Sequence, residues 1–409
     1  PKGNADKHGT AVAGVIAAED NDIGVVGVTY DATLIAAYTP LSGDADEFAG
    51  LGYGVNFDVV NNSWGWNPGA FNPFPDNFLN QNSGGGVDAS FYEYGLQLEG
   101  NSQDGRGGLG TVYVFAAGNG GQSDDVNQLS FQSSRFTIAV GATQESGETA
   151  NFSTPGAAAL LSAPGVDIAT TDRVGSPGWN SGPGGDEDYA ILDGTSFASP
   201  IVAGITALML EANGDLGVRD IQEIFALSSR TIDPQENQWQ TNGANCWNGG
   251  GLTWSNNYGS GLAETWFQDE LFGTGSAIAA TFNNETVAVH ADSPGSTIPD
   301  NQSSGLTETA VITDDFEVDQ VSVYINIEHG SYRDLSIELT SPSGTTATLF
   351  DRPFGFGDDI EFVFGSTIFW GEMSVSTWSL KVEDHDSGDV GTLLDWTLSI
   401  YGDNHGADD

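Results

Sequence analysis

Short apolar runs alternate with segments of helical periodicity over the first two thirds of the chain. The apolar runs are continuous instead of alternating with polar residues, which is typical of strands in a parallel sheet covered on both faces. Strands are predicted at residues 33–36, 58–61, 111–115 and 137–140, and helices at residues 10–18, 197–212 and 218–228. The order of these elements predicts an α/β fold with a parallel sheet.

The pattern changes in the last third of the chain. Small and polar residues punctuate residues 273–295, which predicts a linker without helices. From residue 296 to residue 402, short alternating runs separated by turns such as Ser-Pro-Ser-Gly at 341–344 predict an antiparallel β-sandwich. The predicted organisation is a first domain at 1–272, a linker at 273–295, a second domain at 296–402 and a polar tail at 403–409.

The composition supports two globular domains and narrows the range of partners. A chain of 409 residues with 38% hydrophobic residues is long enough for two cores. Ten Lys and Arg residues stand against 57 Asp and Glu residues, which gives a formal net charge of −47. Nucleic acid and anionic membranes are poor partners for such a surface. The charge either solubilises the protein or makes its stability depend on salt or bound cations.

The single cysteine and the hydropathy of the chain exclude two structural classes. Cys246 is the only cysteine, so no intramolecular disulfide forms, and it is predicted to be a packed, inert thiol. No run of about 18 apolar residues is apparent, so no membrane insertion is expected. No signal peptide is visible, and one is expected upstream of Pro1.

The strongest chemical signal is a serine at the start of an apolar helix, within Gly-Thr-Ser-Phe-Ala-Ser-Pro at residues 194–200. A backbone N–H at this place points out of the helix, and the helix dipole favours a negative charge nearby. An alkoxide or oxyanion needs such an environment. Pro200 is expected in the first turn, where its missing N–H is tolerated. The alternative interpretation makes Ser196 a helix N-cap.

A histidine and an asparagine provide two weaker signals. His8, in His-Gly-Thr, is predicted at a helix start, where the dipole disfavours imidazolium and leaves the ring available as a base. Asn119, in Ala-Gly-Asn, follows an apolar strand and can offer a neutral donor to an oxyanion. Each has a structural alternative, since such a His can simply pack or cap a helix and such an Asn is common in turns.

Taken together, the three motifs resemble those of the subtilisin-like serine peptidases. The Gly-Thr-Ser-x-Ala-Ser-Pro, His-Gly-Thr-x-Val-Ala-Gly and Ala-Gly-Asn motifs of that family occur here in the family order, and the resemblance extends over residues 7–263. It implies that Ser196 is the nucleophile of an acyl-enzyme and that His8 is the general acid and base. It also implies that Asn119 and the Ser196 N–H form the oxyanion hole.

The same resemblance implies where the substrate binds. Residues 61–65, Asn-Asn-Ser-Trp-Gly, are similar to the family strand whose backbone pairs with an extended peptide. The implied substrate-binding residues are Ser63, Trp64, Gly65, Ala117 and Gly118. The expected partner is therefore a polypeptide in extended conformation.

Residues 19–25 resemble the high-affinity calcium loop of the family. The implied ligands are the side chain of Asn21 and the carbonyl oxygens of Glu19, Ile23 and Val25. A shell made only of oxygen atoms suits Ca²⁺, which would act as a structural ion. A plain polar loop after a helix is the alternative interpretation.

The second domain resembles the P domain that follows the catalytic domain in kexin-like convertases, a sandwich of jelly-roll type. The matching segments are residues 298–301, 332–335, 340–345 and 391–398. The resemblance implies that this domain packs on the peptidase domain and stabilises it. Four acidic residues could bind further Ca²⁺ or simply be unpaired surface carboxylates: Asp314, Asp315, Asp384 and Asp386.

The chain departs from the family pattern at the triad aspartate. In the family this Asp precedes the His motif on the first strand, whereas only residues 1–7 precede His8, and Asp6 is too close in sequence to reach the ring. Either the sequence is a truncated form of an active enzyme or it belongs to a degenerate pseudo-peptidase, and truncation is favoured. A triad lacking only its Asp loses about four orders of magnitude in rate, so this chain is expected to be nearly inactive.

The expected specificity also departs from that of kexin-like enzymes, which bind basic residues through carboxylates and a calcium ion. Pro68, Ser130 and Thr154 occupy the positions of three acidic groups, and only Asp125 is retained. Strict cleavage after basic pairs is therefore not expected.

These observations predict a secreted, monomeric, calcium-dependent serine endopeptidase of bacterial origin, located outside the cell or at its surface. The main alternative is a non-catalytic binding protein on the same scaffold. A second alternative is a dedicated convertase that processes propeptides.

Overall fold

The computed structural model describes residues 7–36, 54–65, 89–233, 239–244, 251–264, 281–353 and 357–403. Three residues named above, Asp6, Pro68 and Cys246, lie outside these ranges, as do residues 404–409 of the predicted tail.

A four-stranded parallel sheet forms the centre of the first domain. Its strands lie side by side in chain order: β1 (Val59–Asn62), β2 (Val112–Ala116), β3 (Thr137–Thr143) and β4 (Ala159–Pro164). Every residue of β2 and β3 is buried, which explains why these segments are continuous apolar runs. The predicted α/β fold with a parallel sheet is confirmed.

Four helices and two small hairpins surround this sheet. The helices are α1 (His8–Ala17), α2 (Ala89–Asp104), α3 (Thr195–Ala212) and α4 (Val218–Ser228). The hairpins are β5 (Ile168–Thr171) with β6 (Tyr189–Leu192), and β7 (Gln240–Thr241) with β8 (Thr253–Trp254). Helix α1 is tied to β5, because Thr170 donates a hydrogen bond to Ala11 O at 2.6 Å.

Helix α3 is the central helix of the first domain. Its buried face packs on the sheet through residues such as Ala198 and Val202, which belong to the same apolar core as Val114 and Val140. Among the described residues, α3 is the one helix long and apolar enough to cross a membrane by length and composition, so the absence of such a run predicted above is wrong. Most of the helix is buried inside the protein, as in a core helix.

One predicted strand of the first domain is wrong. Residues 33–36 carry no strand although Leu34 and Ile35 are apolar, and both side chains are exposed. A short apolar run becomes a strand only where a neighbouring strand pairs with it, and none of the described strands does so here.

The second domain consists of two antiparallel sheets packed face to face. One sheet has the order β10-β17-β12-β15, with β9 also paired to β17, and the other has the order β11-β16-β13-β14. The strands are β9 (Thr286–Asp292), β10 (Ser296–Ile298), β11 (Leu306–Ile312), β12 (Glu317–Glu328), β13 (Leu335–Thr340), β14 (Thr346–Asp351), β15 (Ile360–Ser366), β16 (Ser376–Asp384) and β17 (Gly391–Asp403). Alternate residues of β12 and β17 face a shared apolar core, so the predicted sandwich is confirmed.

The linker predicted at residues 273–295 is corrected by the structure. Strand β9 lies within it and pairs with β17 over residues 396–402. Side-chain exposure alternates in this strand only over Val287-Ala288-Val289, and Ala288 is its single fully buried residue. Such a short signal is not recognisable beside the polar turn that follows. Residue 403, predicted to begin the tail, ends β17.

The two domains meet over a polar and charged contact. Asn242 of the first domain donates hydrogen bonds to the carbonyls of Ile368 and Trp370, at 2.9 and 2.8 Å. Five charged residues form ion pairs in the same contact and make up the interface cluster: Arg135, Arg219, Glu285, Asp319 and Asp403. The second domain is therefore held directly against the first.

Candidate active site

Ser196 lies in the first turn of α3 and is not its cap. Gly194 is the N-cap, with φ 147° and ψ 152°, a conformation that favours glycine, and the helix begins at Thr195. Ser196 is therefore the second residue of the helix, and the alternative interpretation as an N-cap is wrong. Its side chain is half-buried, and its Oγ donates a hydrogen bond to Ser63 O at 3.4 Å.

The N–H groups at the start of α3 are unequally satisfied. Thr195 N donates to Asn119 Oδ1 at 2.9 Å, and Phe197 N donates to Gly194 O at 3.0 Å. The N–H of Ser196, between them, has no acceptor among the described residues. A helix start with one free N–H next to a serine hydroxyl can donate to a negatively charged oxygen.

The Asn119 carboxamide is held in one orientation by Thr195. Its Oδ1 accepts hydrogen bonds from both the N–H and the hydroxyl of Thr195, each at 2.9 Å. Because a backbone N–H can only donate, the accepting atom must be the oxygen, which leaves the Nδ2 group as a free donor on an exposed side chain. Among the described residues, neither Asn119 Nδ2 nor Ser196 N has an acceptor, and both groups lie at one helix start.

Thr195 is a residue that the sequence analysis missed. Its side chain is fully buried, and its hydroxyl also accepts a hydrogen bond from Gly118 N at 3.3 Å. The available signal was its place in the Gly-Thr-Ser motif, immediately before the candidate nucleophile. Its partners are 76 and 77 residues away in sequence, so spacing alone could not assign them.

His8 is the first residue of α1 and lies beside the start of α3. Its ring centre is 5.8 Å from that of Phe197, the residue after Ser196. Burial lowers the pKa of His8, so the ring is neutral and able to accept a proton. Desolvation and the predicted effect of the helix dipole both favour the neutral ring. Within the described ranges, no carboxylate lies within 4 Å of His8 and no hydrogen bond joins His8 to Ser196.

The candidate substrate-binding segment continues from the carboxyl end of β1. The indole of Trp64 packs edge-on against Phe115 and Phe131, at 5.6 Å from each, and thus anchors the segment to the core. The backbone N–H and C=O groups of Trp64 and Gly65 make no hydrogen bonds with other described residues. This exposed edge is available to pair with an extended chain.

Ala117 and Gly118 have a different environment. Ala117 N donates to Val140 O at 3.0 Å, and Gly118 O accepts from Thr154 N at 3.2 Å. Because these groups are already bonded inside the protein, the two residues can form a wall of the cleft but offer a substrate few backbone partners.

The candidate calcium loop is compatible with a cation but incomplete. Asp22 and Gly24 have positive φ angles of 62° and 69°, which curl the loop. The carbonyls of Glu19, Ile23 and Val25 accept no hydrogen bond from described residues, and Asn21 Oδ1 accepts one, from Ile23 N at 3.1 Å. Four oxygens of this kind suit Ca²⁺, which takes six to eight.

Candidate metal ligands elsewhere do not cluster. No group of three or more His, Cys, Asp or Glu side chains that could hold a metal ion occurs among the described residues. Asp314, Asp315 and Asp386 are exposed. Asp384 is buried and its carboxylate lies 3.4 Å from His329 Nε2, so the prediction of a surface carboxylate is wrong for this residue.

The positions that depart from the kexin-like pattern are neutral or engaged. Ser130 and Thr154 are buried, and the Thr154 hydroxyl accepts a hydrogen bond from Gly120 N at 3.0 Å. The carboxylate of Asp125 accepts a hydrogen bond from Asn127 N at 2.8 Å, and burial raises the pKa of Asp125 to about 7. No strong negative charge is therefore concentrated at these three residues.

Comparisons of sequence match each of the two domains to a family. Residues 1–261 match the subtilase family, and residues 318–400 match the proprotein convertase P-domain. The chain is 31% identical to a proprotein convertase subtilisin/kexin type 6 of Rattus norvegicus, 30% to protease KEX1 of Kluyveromyces lactis and 29% to furin of Homo sapiens. Each alignment covers 98% of this chain but 42%, 51% and 48% of the relative. The chain spans about half the length of the curated relatives it matches.

Comparisons of structure agree on the fold. Two crystal structures of a serine protease of Aeromonas sobria, one of them in complex with a chaperone, superpose with a TM-score of 0.82 at 22% identity. They cover 99% and 98% of this chain and 82% of theirs. The family match spans more than half of the chain and the relatives named here are of the proprotein convertase type, so the chain belongs to the subtilase family and carries a P domain after its subtilase domain.

Proposed function

We propose that this chain is the catalytic part of a serine endopeptidase that hydrolyses peptide bonds through an acyl-enzyme on Ser196. The observation that carries the proposal is the pair of unpaired donors, Ser196 N and Asn119 Nδ2, at the helix start that also bears the Ser196 hydroxyl. No described residue accepts a hydrogen bond from either donor, and both lie at the helix start that bears the nucleophile, which favours a site for a developing oxyanion.

The proposed chemistry uses three side chains. His8, neutral because of its burial, accepts the proton of Ser196 Oγ while that oxygen attacks the substrate carbonyl carbon. The carbonyl oxygen becomes an oxyanion and accepts hydrogen bonds from Asn119 Nδ2 and Ser196 N. His8 then donates its proton to the leaving amine, and a water molecule hydrolyses the acyl-enzyme by the same steps.

The substrate is proposed to bind as an extended polypeptide along residues 63–65. Support comes from the unbonded backbone groups of Trp64 and Gly65, which are held in place by the packed Trp64 indole. Ala117 and Gly118 form the facing wall. Ser130 and Thr154 are neutral where kexin-like enzymes have acidic groups, which supports a specificity that is not restricted to basic residues.

A structural Ca²⁺ is proposed at residues 19–25. Asn21 Oδ1 and the carbonyls of Glu19, Ile23 and Val25 would supply four of its oxygen ligands, and the ion would offset part of the negative charge of the chain. The acidic composition also supports a protein that acts outside the cell or at its surface, as a monomer without membrane insertion.

A non-catalytic binding protein is the second candidate function. It is favoured by one observation, the absence of a carboxylate within 4 Å of His8 in the part of the chain that the structure describes. The proposed mechanism therefore assigns roles only to Ser196, His8 and Asn119. The prediction that this chain is nearly inactive is separate from this alternative, since it concerns an enzyme whose triad lacks only its Asp.

Labelling by a fluorophosphonate separates the two functions. The natural full-length protein should be labelled, and the change Ser196→Ala should abolish the labelling while leaving the melting temperature unchanged. Thr206→Val, further along the same helix, serves as the control: its hydroxyl bonds only within the helix, to Val202 O at 2.8 Å among the described residues, and its loss should leave Ser196 labelled. A folded protein without any Ser196-dependent label, even after long incubation, would favour the binding protein.

A further inference from the structure

The backbone carbonyl of Ser196 lacks its ordinary helical partner. In an α-helix the carbonyl of residue i accepts a hydrogen bond from the N–H of residue i+4. For Ser196 that residue is Pro200, which has no N–H. The sequence analysis placed Pro200 in the first turn, where this is harmless. The structure corrects this, because Pro200 is the sixth residue of α3 and its missing N–H leaves the Ser196 carbonyl without a donor from its own helix.

A hydroxyl from the substrate-binding segment replaces the missing donor. Ser63 Oγ donates a hydrogen bond to Ser196 O at 2.7 Å, although the two residues are 133 positions apart in sequence. In the opposite direction, Ser196 Oγ donates to Ser63 O at 3.4 Å. Residues 63 and 196 are thus joined by two reciprocal hydrogen bonds, one of which uses the candidate nucleophile itself.

The Ser63 hydroxyl is itself held in one orientation. It accepts a hydrogen bond from Asn61 Nδ2 at 3.0 Å and lies 3.0 Å from Ser199 Oγ. A serine hydroxyl has one donor and two acceptor positions. Since its donor is used on Ser196 O, Ser199 Oγ is the donor in the second contact. All three positions of Ser63 Oγ are therefore occupied, which fixes the direction of its O–H bond.

We propose that Ser63 is a positioning residue for the nucleophile. This role rests on the proposed function. The Ser63 hydroxyl takes the place of the N–H that Pro200 lacks, and so holds the Ser196 backbone at a set distance from the residues that bind the substrate. Asn119 holds the N–H and the hydroxyl of Thr195, the residue before Ser196, and Ser63 holds the carbonyl of Ser196 itself. The backbone is therefore bonded on both sides of the Cα that carries the nucleophile.

The main consequence is for turnover. A misplacement of about 1 Å in a reacting group can cost on the order of 100-fold in rate. Ser63→Ala removes the donor to Ser196 O but keeps the backbone of Trp64 and Gly65 that would bind the peptide. We therefore expect kcat to fall by about 10- to 100-fold while KM changes less than about threefold.

Pro200→Ala supplies the decisive comparison, because alanine restores an N–H that can reach Ser196 O. Ser63→Ala should therefore cost less, in both kcat and the urea midpoint of unfolding, in the Pro200→Ala background than in the parent protein. Ser162→Ala is the matched control. It removes a buried hydroxyl that donates to Tyr258 O at 3.3 Å away from the cleft, so it should lower the urea midpoint without changing kcat.

The parent is compared with four variants of the full-length protein: Ser63→Ala, Pro200→Ala, the double variant with both changes, and Ser162→Ala. Peptide hydrolysis and urea unfolding are measured for each. Additive effects of the two changes on the urea midpoint would overturn the proposed exchange of donors. Non-additive unfolding with an unchanged kcat in Ser63→Ala would overturn the positioning role. Because unfolding needs no catalysis, this cycle decides on the hydrogen bond even if the parent protein cleaves no peptide, an outcome that would contradict the proposed function separately.

Discussion

The cleft at Ser196 and the interface cluster both place polar groups in partly buried positions, but they treat hydrogen-bond donors in opposite ways. At the cleft, Ser196 N and Asn119 Nδ2 have no acceptor among the described residues. In the interface cluster, Arg219 donates to Asp319, to Asp403 and to the carbonyl of Thr281. Donors that are left unpaired beside a nucleophile suit a transient charge, whereas saturated donors suit permanent cohesion.

The two regions also differ in charge. The polar groups at the cleft are neutral, so no ionised group needs to be compensated there before a substrate binds: Ser196, Asn119, Ser63 and the half-buried His8. The interface cluster buries two guanidinium groups against three carboxylates, with Arg135 forming two hydrogen bonds to Glu285 at 2.8 and 2.7 Å. Buried charges of this kind stabilise a contact only while every partner is present.

Removing Arg219 should give the largest effect and would test the claim that this interface depends on complete pairing. The side chain is 3% exposed, and its loss leaves Asp319 and Asp403 without their cation. We expect Arg219→Ala to lower the free energy of unfolding by about 3–5 kcal/mol, the cost of breaking a buried ion pair from one side. Urea unfolding measures the change.

Arg352→Ala is the control for this experiment. Its guanidinium is 54% exposed and bonds only the exposed Asp351, so its removal should cost less than about 1 kcal/mol. Equal losses for the two arginine variants would show that buried pairing does not distinguish the interface from an ordinary charged surface.

Asn119→Ala tests the cleft side of the comparison. The change removes one of the two free donors, and we expect kcat to fall by about 10²- to 10³-fold, the range measured when the corresponding donor is removed from a subtilisin. Because Asn119 is exposed, the free energy of unfolding should fall only by its two bonds to Thr195, about 2 kcal/mol in total. Peptide hydrolysis and urea unfolding are measured together.

A mirror-image result would contradict the assignment of Asn119. If the variant lost several kcal/mol of stability but kept its kcat, the carboxamide would serve to hold the loop and not to bind an oxyanion. Thr195→Val is the matched variant, because it keeps the backbone bond to Asn119 Oδ1 and removes the hydroxyl, which donates to Asn119 Oδ1 and accepts from Gly118 N. It should lower kcat less than Asn119→Ala.

The sequence predicted more of the fold than of the site. Strands β2 and β3 and helix α4 were predictable because their apolar spacing reflects burial that is continuous along the chain. Residues 33–36 and strand β9 were not, because pairing with a distant strand, or its absence, decides their structure and leaves little trace in a short run. The local pattern of apolar residues indicates whether a segment is buried better than it indicates which strand the segment pairs with.

The candidate site divides along the same line. The motifs of Ser196, His8 and Asn119 are local and were found, and their roles remain predictions. The anchoring of Asn119 by Thr195 and the bond from Ser63 to Ser196 join segments that are 76 and 133 residues apart. No spacing rule connects such pairs. The error in the position of Pro200 had a local cause, since the start of α3 depends on Gly194, whose conformation was not apparent from composition.

Glu223 on α4 lies beside the interface cluster and makes the charge balance there unfavourable. Burial, and then the neighbouring carboxylates of Asp319, Asp403, Asp220 and Glu317, raise the pKa of Glu223 to about 8. Arg219, on the same helix, is already bonded to Asp319 and Asp403. The carboxyl groups in this region therefore outnumber the guanidinium groups that bond them.

Glu223→Gln should give the smallest of these effects, and it depends on pH. An unfolded chain releases the Glu223 proton near pH 4.5, whereas the folded protein retains it up to about pH 8. Folding therefore takes up a proton between these values, and the free energy of unfolding falls as pH rises through this window. Glutamine does not titrate, so the variant should match the stability of the parent near pH 5 and be about 1–2 kcal/mol more stable at pH 8.5. This gain is smaller than the full pKa shift of Glu223 implies, because the side chain is only partly buried. The exposed Glu211, changed to Gln, should leave the pH dependence unaltered. If the free energies of unfolding of the parent and of Glu223→Gln changed in parallel from pH 5 to 8.5, this carboxyl group would be ionised in the folded protein. The interface would then tolerate more unpaired charge than its saturated arginines imply.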